Sequence, residues 1–519
     1  MLFNSYVFLF IYLPVVFLVF FWVSRHDPGL GRLWLFAASL FFYGWWNPLF
    51  VGLLLASIAF NYSVGVSLSR QRDLIGASRA KWIFRLGIAA NLAMLGYFKY
   101  ANFFVESLDA ITSLGWHTEA IVLPLGISFF TFTQIAFLVD AYRGEVRETN
   151  FVTYGLFVTY FPHLIAGPVL HHKEMMPQFA HPATFKMEWE NLSVGLTIFA
   201  IGLFKKVVLA DGVAPFASPV FATAANGGTL TFVEAWGGAL AYTFQLYFDF
   251  SGYSDMAIGL SRLFGVKLPL NFDSPYKSVN IIDFWRRWHI TLSRFLRDYL
   301  YFALGGNQKG RVRRYVNLVT TMLLGGLWHG AGWTFVVWGG LHGFYLVVNH
   351  GWHQLRKALG QDIKNSTAIG RSASVLLTFL AVVVGWVFFR AQTIDAALCV
   401  LKGMSGMNGL TLPDGIFPKP LVAIMNQWGV KFGGLDVFRE IPGRTTSMVA
   451  WVSALWLVVW FVPNSQQFMT DFKPALEAVS SASKVRWRPN MLWLVATALV
   501  LLYTLTEMGK VSEFLYFQF

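Results

Sequence analysis

The stretch Leu323-Leu-Gly-Gly-Leu-Trp-His-Gly-Ala-Gly-Trp333 places a histidine, His329, deep in an otherwise apolar, membrane-like part of the sequence. An ionisable residue inside a hydrophobic span is costly, and its default interpretation is a functional site. Histidine is also the side chain whose ordinary pKa suits proton transfer near neutral pH. The flanking glycines remove side-chain bulk, so a substrate or a second backbone can approach the imidazole closely. They are Gly325, Gly326, Gly330 and Gly332.

The composition of the whole chain indicates an integral membrane protein. Of the 519 residues, 56% are hydrophobic and only 13% are charged, whereas about a quarter of the residues in a soluble domain are charged. Hydrophobic segments of helical length recur along nearly the whole chain and lack the alternating pattern of strands. We therefore expect an all-α, polytopic membrane protein with roughly eleven to thirteen membrane-embedded helices. The shorter segments are expected to be re-entrant or interfacial.

The formal charge of +13 has a topological meaning. A cluster of basic residues between 70 and 85 marks a cytoplasmic loop, because cytoplasmic loops of membrane proteins are enriched in lysine and arginine. Counting back across three helices places the turn Arg25–Arg32 inside and the N-terminus outside. We expect no nucleic-acid partner.

The most informative polar stretch runs from Asn271 to Arg314. Between Lys277 and Arg314 it has nine basic and two acidic residues, and aromatic residues are interleaved with them. Such an aromatic and basic segment is typical of a helix that lies in the interface or dips into the membrane. The segment either anchors the protein to lipid headgroups or forms a cytoplasmic funnel for a polyanionic donor, because the planar guanidinium group of arginine suits phosphates. Both roles are compatible. The candidate donor-binding residues are Arg286, Arg287, Arg294 and Arg297.

We expect one membrane domain over residues 1–519. Its parts are N-terminal helices over 1–270, a basic re-entrant segment with the histidine region over 271–350, an extramembrane excursion and a helix within 400–490, and the last helix and C-terminus over 491–519. A short interfacial helix is expected around Val430–Phe438. The single cysteine excludes an intrachain disulfide, and no grouping of residues has convincing metal spacing.

Other polar residues in apolar segments have two interpretations each. His342 follows His329 by thirteen residues and can face the same cavity, and His163 lies between prolines. Asp249 and Asp255 either cap a broken helix, since aspartate binds free backbone N–H groups, or orient His329. The structural role is favoured for both.

Several motifs resemble the membrane-bound O-acyltransferase (MBOAT) superfamily. The first set comprises Trp285-Arg-Arg-Trp-His289, Leu296-Arg-Asp-Tyr-Leu300 and Gly325-Gly-Leu-Trp-His-Gly330. A second set resembles the bacterial alginate O-acetyltransferase branch: Pro124–Phe132, Phe161–Pro168, Tyr247–Gly259 and Phe514–Phe519. The resemblance extends from Val7 to about Arg390 and resumes at the C-terminus. Residues from about 400 to 490 match no pattern of the family.

The resemblance implies a ring of tilted helices around a thinned centre, with a tunnel that reaches the catalytic histidine from both faces. His329 matches the family's near-invariant histidine, and His289 matches a second, supporting histidine. The branch moves acetyl groups from a cytoplasmic donor, acetyl-CoA, across the bacterial inner membrane onto an exopolysaccharide such as alginate. It works beside a periplasmic O-acetyltransferase that completes the transfer.

Acyl transfer from a thioester to a hydroxyl needs a base, an oxyanion stabiliser and exclusion of water. An apolar setting favours the neutral imidazole of His329, because desolvation disfavours imidazolium. His329 then acts either as the general base or as the carrier of a transient acyl group. His289 or Asn317 is a candidate to polarise the thioester carbonyl.

Other functions remain open at this point. A D-alanyl transferase of teichoic acids shares the superfamily motifs, and another acyltransferase of cell-envelope polymers needs the same chemistry. A flippase or channel is the non-enzymatic alternative, although transporters often show internal repeats and none is evident. The identity of the polysaccharide is not encoded in a motif.

Overall fold

The computed structural model describes residues 1–70, 76–116, 119, 121–146, 150–165, 167–362, 367–412, 417–433, 435–439, 441, 444–479, 481–509 and 515. Helices dominate it, and the all-α prediction is confirmed. The two strands of the described part are Thr411–Leu412 and Lys431–Phe432, two residues each, which pair in parallel. The centre of the expected cytoplasmic loop, residues 71–75, and most of the motif at 514–519 lie outside the described residues.

The helices of the N-terminal half are α1 (Leu13–Ser24), α2 (Pro28–Gly44), α3 (Leu49–Arg70), α4 (Ala77–Leu95), α5 (Ala101–Thr112), α6 (Ile127–Arg143), α7 (Phe151–Thr159), α8 (His172–Ala180), α9 (Trp189–Phe204), α10 (Asp211–Ala225) and α11 (Phe232–Leu263). Those that follow are α12 (Ile281–Arg287), α13 (Ile290–Phe295), α14 (Gly310–His329), α15 (Trp333–Ala358), α16 (Ala368–Arg390), α17 (Ile394–Met404), α18 (Lys419–Gln427), α19 (Arg444–Phe461), α20 (Ser465–Phe468) and α21 (Met491–Glu507). Turns of π-helix occupy Phe8–Tyr12, Gly96–Tyr100, Lys205–Ala210 and Leu296–Tyr301.

Several helices are apolar enough to cross a membrane. In the described part, three helices are both long enough and apolar enough to span a membrane, namely Leu49–Ser69, Trp189–Ala225 and Ala368–Arg390. Three shorter apolar helices are Phe8–Ser24, Thr446–Phe461 and Met491–Glu507. The chain is thus a multi-pass membrane protein, while the number of eleven to thirteen embedded helices and the four-part division stay predictions.

The centre of the fold is a pair of helices whose backbones touch. A Cβ atom at Gly202 of α9 would lie 2.6 Å from the Gly252 carbonyl oxygen, and one at Gly259 would lie 2.6 Å from the Gly195 carbonyl oxygen. Each helix therefore presents glycines seven residues apart to the other. Small residues of this kind let membrane helices approach closely, where van der Waals packing replaces the hydrophobic effect as the driving force.

Ion pairs join α11 to the π-helical turn that follows α9. The Lys206 ammonium lies 2.7 Å from carboxylate oxygens of both Asp249 and Asp211, and Lys205 lies 2.6 Å from Asp255. The sequence-based view that Asp249 and Asp255 cap a broken helix is wrong, because α11 continues without a break from Phe232 to Leu263. Their carboxylates instead bind lysines on the facing segment, since a charge buried in apolar surroundings needs a partner.

Two stretches differ in detail from the expected pattern. The prediction of an interfacial helix around Val430–Phe438 is wrong, because the helix of this region lies at Lys419–Gln427. Helix α18 begins at Lys419, next to two prolines that suit a first helical turn, and Gly429, with φ of +82°, ends it. The region from Asn271 to Arg314 is divided into short helices, and His289, with a left-handed backbone (φ of +44°), lies between α12 and α13.

Replacing Gly202 with alanine should lower the thermal stability of the protein. The new methyl carbon would lie 2.6 Å from two backbone atoms, the Gly252 oxygen and the Met256 nitrogen. Backbone atoms cannot rotate away, so we expect overpacking to cost about 1–3 kcal/mol. The control is Gly52→Ala in α3, whose Cβ would meet nothing within 4 Å. Unfolding in detergent, followed by tryptophan fluorescence, measures both; equal midpoints would contradict the packing role of Gly202.

Candidate active site

His329 is the last residue of α14 and faces the start of α15. The two helices form a hairpin through Gly330–Gly332 and pack backbone against backbone. A Cβ atom at Gly326 would lie 2.2 Å from the Phe335 carbonyl oxygen, and one at Gly339 would lie 2.3 Å from the Met322 carbonyl oxygen. The Phe335 ring covers Gly330. At Gly326 and Gly330, the missing side chains therefore leave room for the start of α15 to pack next to the imidazole.

Lys99 holds the end of α14 and was missed by the sequence analysis. Its ammonium donates hydrogen bonds to the carbonyl oxygens of Trp328 (2.5 Å) and His329 (3.3 Å) and to the Ser128 hydroxyl (3.2 Å). The Tyr100 hydroxyl donates to the Leu327 carbonyl (2.9 Å). The last carbonyls of a helix lack intrahelical partners and carry partial negative charge, which a cation satisfies. A lysine in an apolar segment was the signal that could have identified it.

The two predicted catalytic histidines lie next to each other. The ring centroids of His289 and His329 are 6.3 Å apart, and both side chains are buried. Aromatic rings enclose His329, with centroids 5.0 Å away for Trp328, 5.2 Å for Trp338 and 5.3 Å for Phe389. Residues forty positions apart in the chain thus form one compact group.

The other candidate residues lie apart from this pair. The centroid of the His342 ring lies 4.9 Å from that of Trp338, and His342 does not line the cavity next to His329. The His163 ring lies 3.0 Å from the Phe157 carbonyl oxygen, a local contact. The Asn317 amide donates to the Gly306 carbonyl oxygen (2.9 Å), and this residue is likewise absent from the cavity wall.

A cavity of about 130 Å³ leads to His329. Its polar wall includes Lys99, Ser128 and His329, and much of its remaining wall is the segment 123–129. Trp46, Ile165 and Trp328 complete it. Two motifs noted in the sequence, Pro124–Phe132 and Phe161–Pro168, therefore contribute to the wall of one space next to the imidazole.

The four candidate donor-binding arginines do not line this cavity. Arg294 binds Glu174 and Glu477, each at 2.5 Å, and so connects α13 to α8 and to the segment that follows α20. Arg287 binds Asp283 (2.9 Å) and Arg297 binds Asp298 (2.7 Å). Arg286 is exposed. Three of the four guanidinium groups thus already have carboxylate partners within the protein.

Comparison with known proteins identifies relatives over most of the chain. The model of the membrane-bound O-acyltransferase family, MBOAT, matches residues 80–389. The chain is 46% identical over 440 residues to a peptidoglycan O-acetyltransferase of Helicobacter pylori, covering 79% of this chain and 81% of that protein. It is 46% identical over 420 residues to a probable alginate O-acetylase of Azotobacter vinelandii, covering 80% of each. A teichoic acid D-alanyltransferase of Streptococcus thermophilus is 27% identical over 294 residues, covering 52% of this chain and 69% of that protein.

Replacing Lys99 with methionine should destabilise the protein. The change leaves buried carbonyl groups at the end of α14 without their donor, which costs about 1–3 kcal/mol. The control is Lys402→Met, which removes the same charge from an exposed position. Thermal unfolding of both variants in the same detergent makes the comparison. A Lys99→Met midpoint as high as that of Lys402→Met would show that the three hydrogen bonds do not stabilise the helix end.

Proposed function

The chain belongs to the membrane-bound O-acyltransferase family and is therefore an O-acyltransferase, and we propose that it moves acetyl groups onto a glycan of the cell envelope. The donor is acetyl-CoA on the cytoplasmic side, and the site is the His329–His289 pair. The observation that carries the proposal is the buried imidazole of His329 at the wall of a cavity, 6.3 Å from a second buried imidazole.

The geometry around His329 suits acyl transfer. When His329 acts as the base, its imidazole takes the proton of the acceptor hydroxyl while the hydroxyl oxygen attacks the thioester carbonyl carbon. The carbon–sulfur bond breaks, and the thiolate receives the proton. Aromatic rings on several sides exclude water, which would otherwise hydrolyse the thioester. In the alternative role as acyl carrier, the imidazole itself holds the acetyl group between two transfers.

The proposed class of acceptor is based on the names of the relatives. Two proteins that are each 46% identical to this chain carry names that refer to the glycans peptidoglycan and alginate. A sugar hydroxyl is the acceptor group that these glycans share, so we propose an exopolysaccharide or another envelope glycan. The D-alanyl transfer known from the name of the more distant relative is the second candidate, with a lower identity of 27%.

The predicted topology supports an acceptor on the outer face. With the N-terminus outside, Trp46 at the end of α2 and the segment that precedes α6 lie toward the outer surface, and both contribute to the cavity at His329. The basic segment from Asn271 to Arg314 then lies on the cytoplasmic side with the donor. We propose that the protein lies in the bacterial inner membrane and works with a periplasmic O-acetyltransferase that completes transfer to the polymer.

The donor's phosphates are candidate ligands of the basic segment, and Arg286 is the best placed of the four candidate arginines. It is exposed, whereas Arg287, Arg294 and Arg297 bind carboxylates. A phosphate at Arg287 would have to share the guanidinium with Asp283, which an arginine can do because it has five N–H donors. We therefore propose that Arg286 and Arg287 engage the phosphates of acetyl-CoA.

Replacing His329 with alanine should abolish acetylation of the envelope glycan. Losing a general base typically costs about 10²–10⁴-fold in rate. His342→Ala is the matched control, because His342 is also a buried histidine, lies on the neighbouring helix and does not line the cavity. Acetyl content of the purified glycan, normalised to the amount of folded protein, is measured in cells. Undiminished acetylation with His329→Ala would exclude catalysis by this residue and would favour a transport role.

Replacing both Arg286 and Arg287 with glutamate should weaken the binding of acetyl-CoA roughly tenfold or more, the equivalent of one lost charge-assisted hydrogen bond. The control is the pair Arg311→Glu and Arg313→Glu, which makes the same charge change at exposed positions of α14. Calorimetry with the protein in nanodiscs measures binding, and membrane fractionation checks insertion. An equal effect of both pairs would assign the segment to general attraction of anions and lipid headgroups.

A further inference from the structure

We propose that Asn271 is a positioning residue that holds His289 in one tautomer, with the proton on Nδ1 and the lone pair on Nε2. His289 then enters the reaction as a hydrogen-bond and proton acceptor. The tautomer follows from hydrogen bonds around one amide oxygen, and only its consequence for catalysis rests on the proposed function.

The orientation of the Asn271 amide is determined by a backbone donor. Its Oδ1 lies 3.3 Å from the Thr291 backbone nitrogen, which can only donate. The atom at this position must therefore be the amide oxygen, since an NH₂ group would place two donors against each other. The amide nitrogen lies 3.4 Å from the Ser254 hydroxyl oxygen, which can accept from it.

The Thr291 hydroxyl is also oriented. The Val169 backbone N–H donates to its oxygen at 2.9 Å, so the hydroxyl proton is directed elsewhere. The Asn271 amide oxygen lies 2.9 Å from that hydroxyl oxygen and accepts its proton. The oxygen of Asn271 thus acts as an acceptor toward both groups of Thr291.

The third group at this oxygen is the His289 ring. Its Nδ1 lies 3.1 Å from the Asn271 Oδ1, and because an amide oxygen only accepts, Nδ1 must carry the proton that it donates. A neutral imidazole carries one proton, so Nε2 has the lone pair. A neutral His289 in this tautomer cannot donate from Nε2 to the thioester carbonyl. It can accept the proton of a hydroxyl or of a neighbouring imidazole.

Asn271 also fixes the main chain next to His289. The backbone carbonyl oxygen of Asn271 accepts a hydrogen bond from the Ile290 backbone nitrogen at 3.0 Å. His289 has φ of +44° and ψ of +54°, a conformation that costs a non-glycine residue about 1–3 kcal/mol. Such strain persists only when the surroundings over-determine it. Asn271, His289 and Thr291 are all fully buried, so both the backbone and the ring of His289 have a fixed setting.

The tautomer can be measured without any substrate. The full-length protein is labelled with ¹⁵N-histidine in liposomes, and the His289 signals are assigned in solid-state NMR spectra by their loss in His289→Gln. We expect a protonated Nδ1 and an unprotonated Nε2. In Asn271→Leu this preference should be lost, whereas Asn271→Asp, which keeps an acceptor oxygen, should retain it. A protonated Nε2 in the neutral wild-type ring would overturn the proposal.

Turnover separates positioning from simple folding effects. With acetyl-CoA and envelope glycan in proteoliposomes, Asn271→Leu should lower kcat roughly 10- to 100-fold, the size of effect seen when a metal-bound histidine loses its hydrogen-bond partner, and leave the KM for acetyl-CoA unchanged. In the His289→Gln background, Asn271→Leu should have no further effect on kcat. Additive effects of the two changes would assign Asn271 a merely structural role.

The matched control is Asn91→Leu, because Asn91 is a buried asparagine whose amide pairs with Asn61 on α3, away from the site. It should reduce the amount of folded protein but not kcat per folded molecule. Equal kcat values for Asn271→Leu and Asn91→Leu would contradict positioning. If wild-type protein transfers no acetyl group to any glycan, the proposed function fails, and the NMR measurement still decides the tautomer.

Discussion

The three hydrogen bonds of Lys99 are the interactions on which the site at His329 depends. Helix α14 ends inside the protein at His329, and a buried carbonyl group at a helix end without a donor is costly. The Lys99 ammonium binds the carbonyls of Trp328 and His329 and also the Ser128 hydroxyl. One side chain from the π-helical turn after α4 thereby joins the end of α14 to α6, and these segments form the wall of the cavity at His329.

The same requirement explains the other polar contacts of the interior. Lys206 lies between Asp211 and Asp249, and Arg294 lies between Glu174 and Glu477. Each of these two cations connects segments that are distant in the chain, so its electrostatic partners also determine which segments meet. Glycines act in the complementary way: at Gly202 and Gly326 they remove side chains where two backbones touch. Close backbone contact and paired charges together hold the apolar helices in one arrangement.

The histidine pair shows how far sequence reasoning reaches. Family motifs identified His289 and His329, and the structure brings their rings to 6.3 Å from each other. Asn271 and Lys99 were not identified, although Lys99 stands in an apolar segment where a charge is unusual. Their importance comes from atoms that they contact 18 and 229 residues away in the chain. A local pattern contains no information on which distant carbonyl or imidazole a side chain will meet.

The sequence by itself determined that this chain is helical and embedded in a membrane, because these properties follow from composition and from the length of its apolar segments. It also determined the candidate histidines through local motifs and, through the distribution of charge, a predicted orientation in the membrane. Only the tertiary structure decided the roles of Asp249 and Asp255, which bind lysines rather than cap a helix. It also decided the partners of the arginines and the acceptor that faces Nδ1 of His289. Those features depend on contacts between distant segments, and such contacts exist only after the helices have packed.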